Sequence, residues 1–283
     1  MINIINKMMM ETENEEYKKA LHIVNILLEK DDFKIFVDRY NSTQTNNSGD
    51  IAKIIKYDNA NDIVIEFQDE HKYCLHTNYS NFQKGSFKNP YHKSVYGVGC
   101  IGNANSRNET GNKKHSYTIW FAMLQRCYKD CYYKKKTYLD CYVCDEWLCF
   151  ETFEKWFDEN YYEIPNAIMD LDKDIFRQGN KIYSPETCCF VPQDINKCFM
   201  ERDNSSGLPS GVYKNKSGTY GARTCKSWDG KSSVRLGTYN TAEEANQAFL
   251  KYKYQCIKEK ANFYKDYLPE YIYNKLIELG SNI

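Results

Sequence analysis

The chain has 283 residues, 42% of them hydrophobic and 15% aromatic, which is enough apolar material for packed cores in two or three small domains. Its 38 basic and 38 acidic side chains cancel, which excludes a chain that coats nucleic acid through overall charge and leaves room for local patches. No apolar run approaches the ~20 residues of a membrane-spanning helix. The acidic stretch METENEEYKK near the start lacks the form of a signal peptide, so the expected compartment is the cytoplasm, with the twelve cysteines mostly reduced.

Ala20, Ile23, Val24, Ile26, Leu27 and Leu28 recur at helical spacing and predict a helix between Glu15 and Tyr40, within an N-terminal helical region 1–47. The polar run Asn41 to Gly49 reads as an exposed linker. From Ile51, β-branched runs around an Asn-Ala-Asn-Asp turn, followed by KYCLHTNYSNF, predict a small β domain over 48–115. Its second half is rich in Gly and Asn and carries Lys84, Lys88, Lys93, Arg107, Lys113 and Lys114 against Glu109. With Tyr91 and Tyr96, such a loop has the chemistry to follow a phosphate backbone; the plainer reading is solvated surface.

The middle segment, 116–201, begins with a helix bearing Trp120, Met123, Leu124 and Cys127 on one face. A turn-like YLDCYVCDEW follows, then a second helix with Trp147, Phe150, Phe153, Trp156 and Phe157, whose spacing assigns these rings to a core. DLDKDIFRQGNKIYSPETCCFVPQDIN then gives strand, loop, strand and a short helix opened by Pro192, a ββα unit. Eight of the twelve cysteines fall here. Cys141 and Cys144 have the two-residue gap of a zinc knuckle, and Cys127 with Cys188 or Cys189 would complete a tetrahedral set, the alternative being buried thiols.

Gly211 to Ala261 reads as three short strands and a helix, a domain over 208–262. Ser217-Gly218 and Asp229-Gly230 are hairpin turns, and Thr241 with Glu244 forms a capping box at the start of an amphipathic helix carrying Ala245, Ala248, Phe249, Tyr252 and Cys256. If Val212, Ala222, Thr224, Val234 and Leu236 face that helix, strand alternation turns Tyr213, Asn215, Arg223, Cys225, Ser233 and Arg235 outward. Seven basic residues between Arg202 and Leu236 face only Asp203 and Asp229. Arginines on such a face can fork to guanine, while lysines meet phosphates. Lys226 and Trp228, at the second turn, are further candidate contacts. The remainder, 263–283, reads as a terminal helix broken at Pro269, able to dock or to support a homodimer.

Two resemblances attach to these residues. Over roughly 50 residues, and most specifically at LGTYNTAEEANQAF, the C-terminal domain resembles the Apetala-two, or ethylene-response-factor, DNA-binding family. That likeness implies a three-stranded sheet laid in the major groove, with readers at Tyr213, Asn215, Arg223, Cys225, Ser233 and Arg235. The middle segment, through its Trp120-to-Cys127 spacing, VCDEW, LDKDI, YSPETC and Asn196, resembles phage HNH-type endonucleases. It implies a divalent cation such as Mg²⁺ on Asp172, Asp174 and Asn196, with Asn180 or Glu186 as loop supports and phosphodiester hydrolysis as the chemistry. The usual base is histidine, but Lys173 holds that place, and a lysine serves as a base only when burial strips its proton. His115 or His92 could substitute. The expected protein is therefore α+β, binds duplex DNA and carries an HNH-like centre in a host cytoplasm. The alternative is a non-cleaving DNA-binding regulator or a factor directed at a host protein.

Overall fold

The computed structural model describes residues 11–28, 38–129, 140–199, 207–224 and 233–281, together with positions 8, 30, 35 and 138. The fold is α+β and divides into two compact units, Met1–His92 and Lys93–Ile283. Among the described residues, no helix is long and apolar enough to cross a membrane.

The first unit contains helix α1 (Glu15–Leu28) and an antiparallel meander of β1 (Thr43–Thr45), β2 (Ile51–Asn59), β3 (Asp62–Phe67) and β4 (Cys74–Thr77), followed by α2 (Tyr79–Gln83). Asn59 makes the β2–β3 turn by accepting the Asn61 N–H at 2.8 Å. Ala52, Ile54 and Tyr57 of β2 pack with Ile63, Ile65 and Phe67 of β3 and with Phe82 and Phe87. The run Asn41 to Gly49 is largely exposed, as expected, but it is not a linker. It supplies β1, and Asn46 is buried because its side chain accepts the N–H groups of Ser48 and Asp50 and donates to the Phe87 carbonyl.

The second unit runs through α3 (His115–Tyr128), β5 (Tyr142–Val143), a 3-10 turn (Asp145–Leu148), α4 (Phe150–Asn160), β6 (Met169–Asp172), β7 (Ile182–Tyr183), β8 (Cys189–Pro192) and α5 (Gln193–Phe199). It continues with β9 (Val212–Lys214), β10 (Tyr220–Arg223), β11 (Arg235–Tyr239), α6 (Ala242–Phe263) and α7 (Glu270–Ser281). β6 and β8 pair antiparallel ahead of α5, which is the expected ββα unit, while β5 and β7 pair in parallel. Trp120, Trp147, Phe150 and Phe153 are fully buried, as their spacing predicts.

One buried cluster extends from Val95 to Leu279. The sequence-read boundaries at 115/116, 201/208 and 262/263 fall inside this unit. Residues 93–114 pack with the helices: a Cβ on Gly99 would lie 2.5 Å from the Leu124 side chain, so only glycine allows this approach. Further along, Lys260 of α6 pairs with Asp194 of α5 at 2.6 Å. Helix α7 docks on α6 through Ile272, Leu276 and Leu279, with Gly280 against Lys258, so its apolar face is covered within the chain.

Candidate nucleic-acid interface and central carboxylate cluster

The C-terminal sheet has the order β11-β10-β9, antiparallel throughout. The capping box forms as expected: Thr241 Oγ1 accepts the Glu244 N–H at 3.2 Å, and Glu244 accepts the Thr241 N–H at 3.3 Å. Ala245, Phe249, Cys256 and Ile257 of α6 are buried, and so are Val212 and Ala222 on the facing side of the sheet.

The outer face is built around Tyr213. Its cross-strand partner is Gly221, and a Cβ there would lie 2.3 Å from the Tyr213 ring, so the ring lies flat across the sheet. The Arg223 guanidinium stands 5.1 Å from the same ring, a cation–π contact that holds an exposed charge in place. Arg235, opposite Arg223, donates to Thr238 Oγ1 at 2.7 Å and is also exposed. Lys214 and Lys216 are exposed at the β9–β10 turn. The described residues 207–224 and 233–241 carry no acid.

Two residues expected on the outer face are engaged within the domain, and one expected to face the helix is partly exposed. Asn215 bonds Thr219 through both side chain and backbone, at 2.9 and 2.8 Å, and so holds the turn. Ser233 donates to the Thr224 carbonyl at 2.7 Å. Val234, expected to face the helix, is 37% exposed, and a bulge at Leu236, opposite Ala222 and Arg223, shifts the β10–β11 register. Cys225, Lys226 and Trp228 lie outside the described residues.

In the ββα unit, Asp172 ends β6 and is buried. Its Oδ1 accepts the N–H groups of Asp174 and Ile175 at 2.7 and 2.8 Å, capping the turn that leaves the strand. Burial and the Asp174 carboxylate push its pKa up to about 6, against the pull of those two N–H groups and of Lys173. The buried Lys173 ammonium donates to both Asp174 oxygens at 2.8 and 2.9 Å and to the Asn180 carbonyl at 2.5 Å. Asn180 donates to the Lys173 and Ile182 carbonyls and accepts the Ile182 N–H, so it locks the loop. Asn196 of α5 reaches back to β6, yet its partner is Asp170 at 3.1 Å, not Asp172 or Asp174.

This arrangement does not fit a divalent cation on Asp172, Asp174 and Asn196. An ammonium already neutralises Asp174, two amides occupy Asp172 Oδ1, and Asn196 belongs to a different carboxylate. Nor is Lys173 placed as a base, since its nitrogen is engaged by both Asp174 oxygens and the Asn180 carbonyl. Glu186 is exposed, and a hydrogen bond from Ser184 holds its carboxyl below the usual range. His115 packs edge-on against Phe157 and Tyr161, while His92 bonds Asp50 at 2.8 Å within the first unit.

The sequence-predicted cysteine set lies mostly in the interior of the second unit. Cys127, Cys141 and Cys188 are buried, and burial raises the Cys144 and Cys188 thiols. Among the described residues, no three His, Cys, Asp or Glu side chains converge to hold a metal ion. Of the loop cations, Arg107 donates to the Gly111 carbonyl, Lys114 pairs with Glu154 at 3.1 Å and Lys113 lies over Tyr117 and Phe121. These contacts fold the loop onto its own unit. Asp170 is the residue that sequence reasoning missed; its place two positions before Asp172, on the same side of β6, was the available signal.

Comparison with protein-family models, with curated proteins and with solved structures finds no significant match.

Proposed function

We propose that this protein binds duplex DNA through the outer face of the β9–β11 sheet, with Arg223 and Arg235 reading base edges and Lys214 and Lys216 contacting phosphates. The observation that carries this reading is the pair of exposed guanidinium groups directly opposite each other across two strands, one fixed by the Tyr213 ring and the other by Thr238. A three-stranded sheet is narrow enough to enter a major groove ~12 Å wide. Helix α6 covers the opposite face and joins it to the ββα unit through Lys260 and Asp194. In this reading the ββα unit is a scaffold: its charges satisfy one another.

Phosphodiester cleavage is the second reading. It is favoured by one observation, the β6–β8–α5 order with Asn196 of the helix touching Asp170 of the first strand. Full-length protein mixed with supercoiled plasmid at low salt, with and without Mg²⁺ or Mn²⁺, separates the two. The proposal predicts retarded but intact plasmid under all conditions. Metal-dependent nicking would favour the second reading, and a lack of both retardation and nicking would reject both in favour of a protein partner.

A further inference from the structure

Two thiols that neither reading uses face each other in the second unit. Cys100 and Cys149 pair as a parallel β-bridge, closed by hydrogen bonds from Cys100 N–H to the Leu148 carbonyl at 3.0 Å and from Phe150 N–H to the Cys100 carbonyl at 2.9 Å. Backbones paired in this way lie ~4.8 Å apart with their side chains on the same side. That spacing falls inside the ~4.4–6.8 Å Cα range of disulfides. Each thiol is close enough to shift the other's ionisation. Cys100 is buried and Cys149 is partly exposed, so Cys149 is the more accessible residue of the two.

The surroundings differentiate the pair. Cys149 occupies the N-cap of α4 without a side-chain cap hydrogen bond, at the helix end whose backbone amides favour its thiolate. Gly102, at φ +68°, brings the loop backbone against that sulfur: a Cβ there would lie 2.9 Å away. The Cys100 thiol and the helix-end amides lower Cys149 to about 6, against burial and the Glu151 charge, while the Cys149 thiol and burial raise Cys100. The other charges nearby are Lys93, which acts on Cys100, and Lys155, which pairs with Glu151 at 3.1 Å.

We infer that Cys100 and Cys149 form a reversible dithiol–disulfide couple that exchanges with small-molecule disulfides of the glutathione class, with Cys149 attacking and Cys100 resolving. The Cys149 thiolate attacks one sulfur of oxidised glutathione, forming a mixed disulfide and expelling a glutathione thiolate. That thiolate takes the Cys100 proton; Cys100 then attacks the Cys149 sulfur and expels the second glutathione as its thiolate. Two protein thiols are oxidised, and one oxidised glutathione is reduced to two thiols. The new bond ties the loop at Cys100 to the start of α4.

The test equilibrates the full chain at pH 7.5 in mixtures of oxidised and reduced glutathione, quenches with acid, alkylates, and maps peptides without reduction. The wild type should give a Cys100–Cys149 cross-linked peptide. Cys100→Ser should instead retain glutathione on Cys149, about tenfold above wild type because the resolving thiol is gone, and Cys149→Ser should give neither product. Circular dichroism verifies that each variant is folded, and Cys100→Ala serves as the resolving-thiol variant if Cys100→Ser is not. Absence of the cross-link in folded wild type, or equal glutathione retention in the wild type and the Cys100 variant, would overturn the inference.

Discussion

Replacing Lys173 by methionine keeps most of the side-chain volume and removes the ammonium at the centre of the ββα unit. The structure sets the cost. Asp174 loses a partner that met both its oxygens, and the Asn180 carbonyl loses a donor at 2.5 Å. Breaking a buried ion pair by removing one member costs ~3–5 kcal/mol. The Asp174 side chain is 30% exposed and regains some water, so K173M should destabilise the second unit by about 3 kcal/mol. Removing both charges in K173M/D174N leaves mainly the orphaned carbonyl, at about 1 kcal/mol, so the second substitution should recover about 2 kcal/mol of the loss. Urea unfolding followed by tryptophan fluorescence reads this directly, because Trp120, Trp147, Trp156 and Trp228 all belong to the second unit. If K173M shifted the midpoint by less than the equivalent of about 0.5 kcal/mol, the network would not be structural, and Lys173 as a base would regain its main support.

Two further outcomes are expected. The folded-state pKa of Asp172, about 6, lies above its ordinary 3.8, so the folded state retains a proton that the unfolded chain releases. The stability from that proton is fully present below about 3.8 and is lost as pH rises through about 6. Asp172→Asn keeps the Oδ1 acceptor without the charge; its advantage over wild type should grow across that window to about 3 kcal/mol and then level off. Thermal melts at pH 4.5 and pH 8 measure it, and parallel curves would contradict it. Gly211 combines φ +78° with a Cβ position 2.1 Å from the Phe249 ring, so Gly211→Ala should cost about 3 kcal/mol, measured by urea unfolding; a neutral result would contradict the packing of the sheet on α6.

The C-terminal sheet and helix were legible because local chemistry specifies them: a Ser-Gly turn, a capping box and a stripe of small residues each act within a few positions. The β6–β8–α5 unit was legible for the same reason, as alternating apolar strands around a Gly-Asn loop. The bulge at Leu236 was not, since register depends on which residue of β10 pairs with which of β11. Nor was the role of LDKDI. Two aspartates flanking a lysine suit a metal site or a self-satisfied ion pair equally well in sequence, and only the 2.8 Å contact from Lys173 to Asp174 separates them. Gly99 and the Cys100–Cys149 pair depend on contacts between segments far apart in the chain, which no local pattern records.

The affinity of Arg223→Ala/Arg235→Ala for duplex DNA, measured against wild type by fluorescence anisotropy at one fixed salt concentration, tests the central claim most directly. Each guanidinium–base contact contributes ~1–3 kcal/mol, so the double variant should bind about 100-fold more weakly to a preferred sequence while keeping wild-type stability. Unchanged affinity in a folded double variant would show that the outer face of the β9–β11 sheet is not the DNA-binding surface.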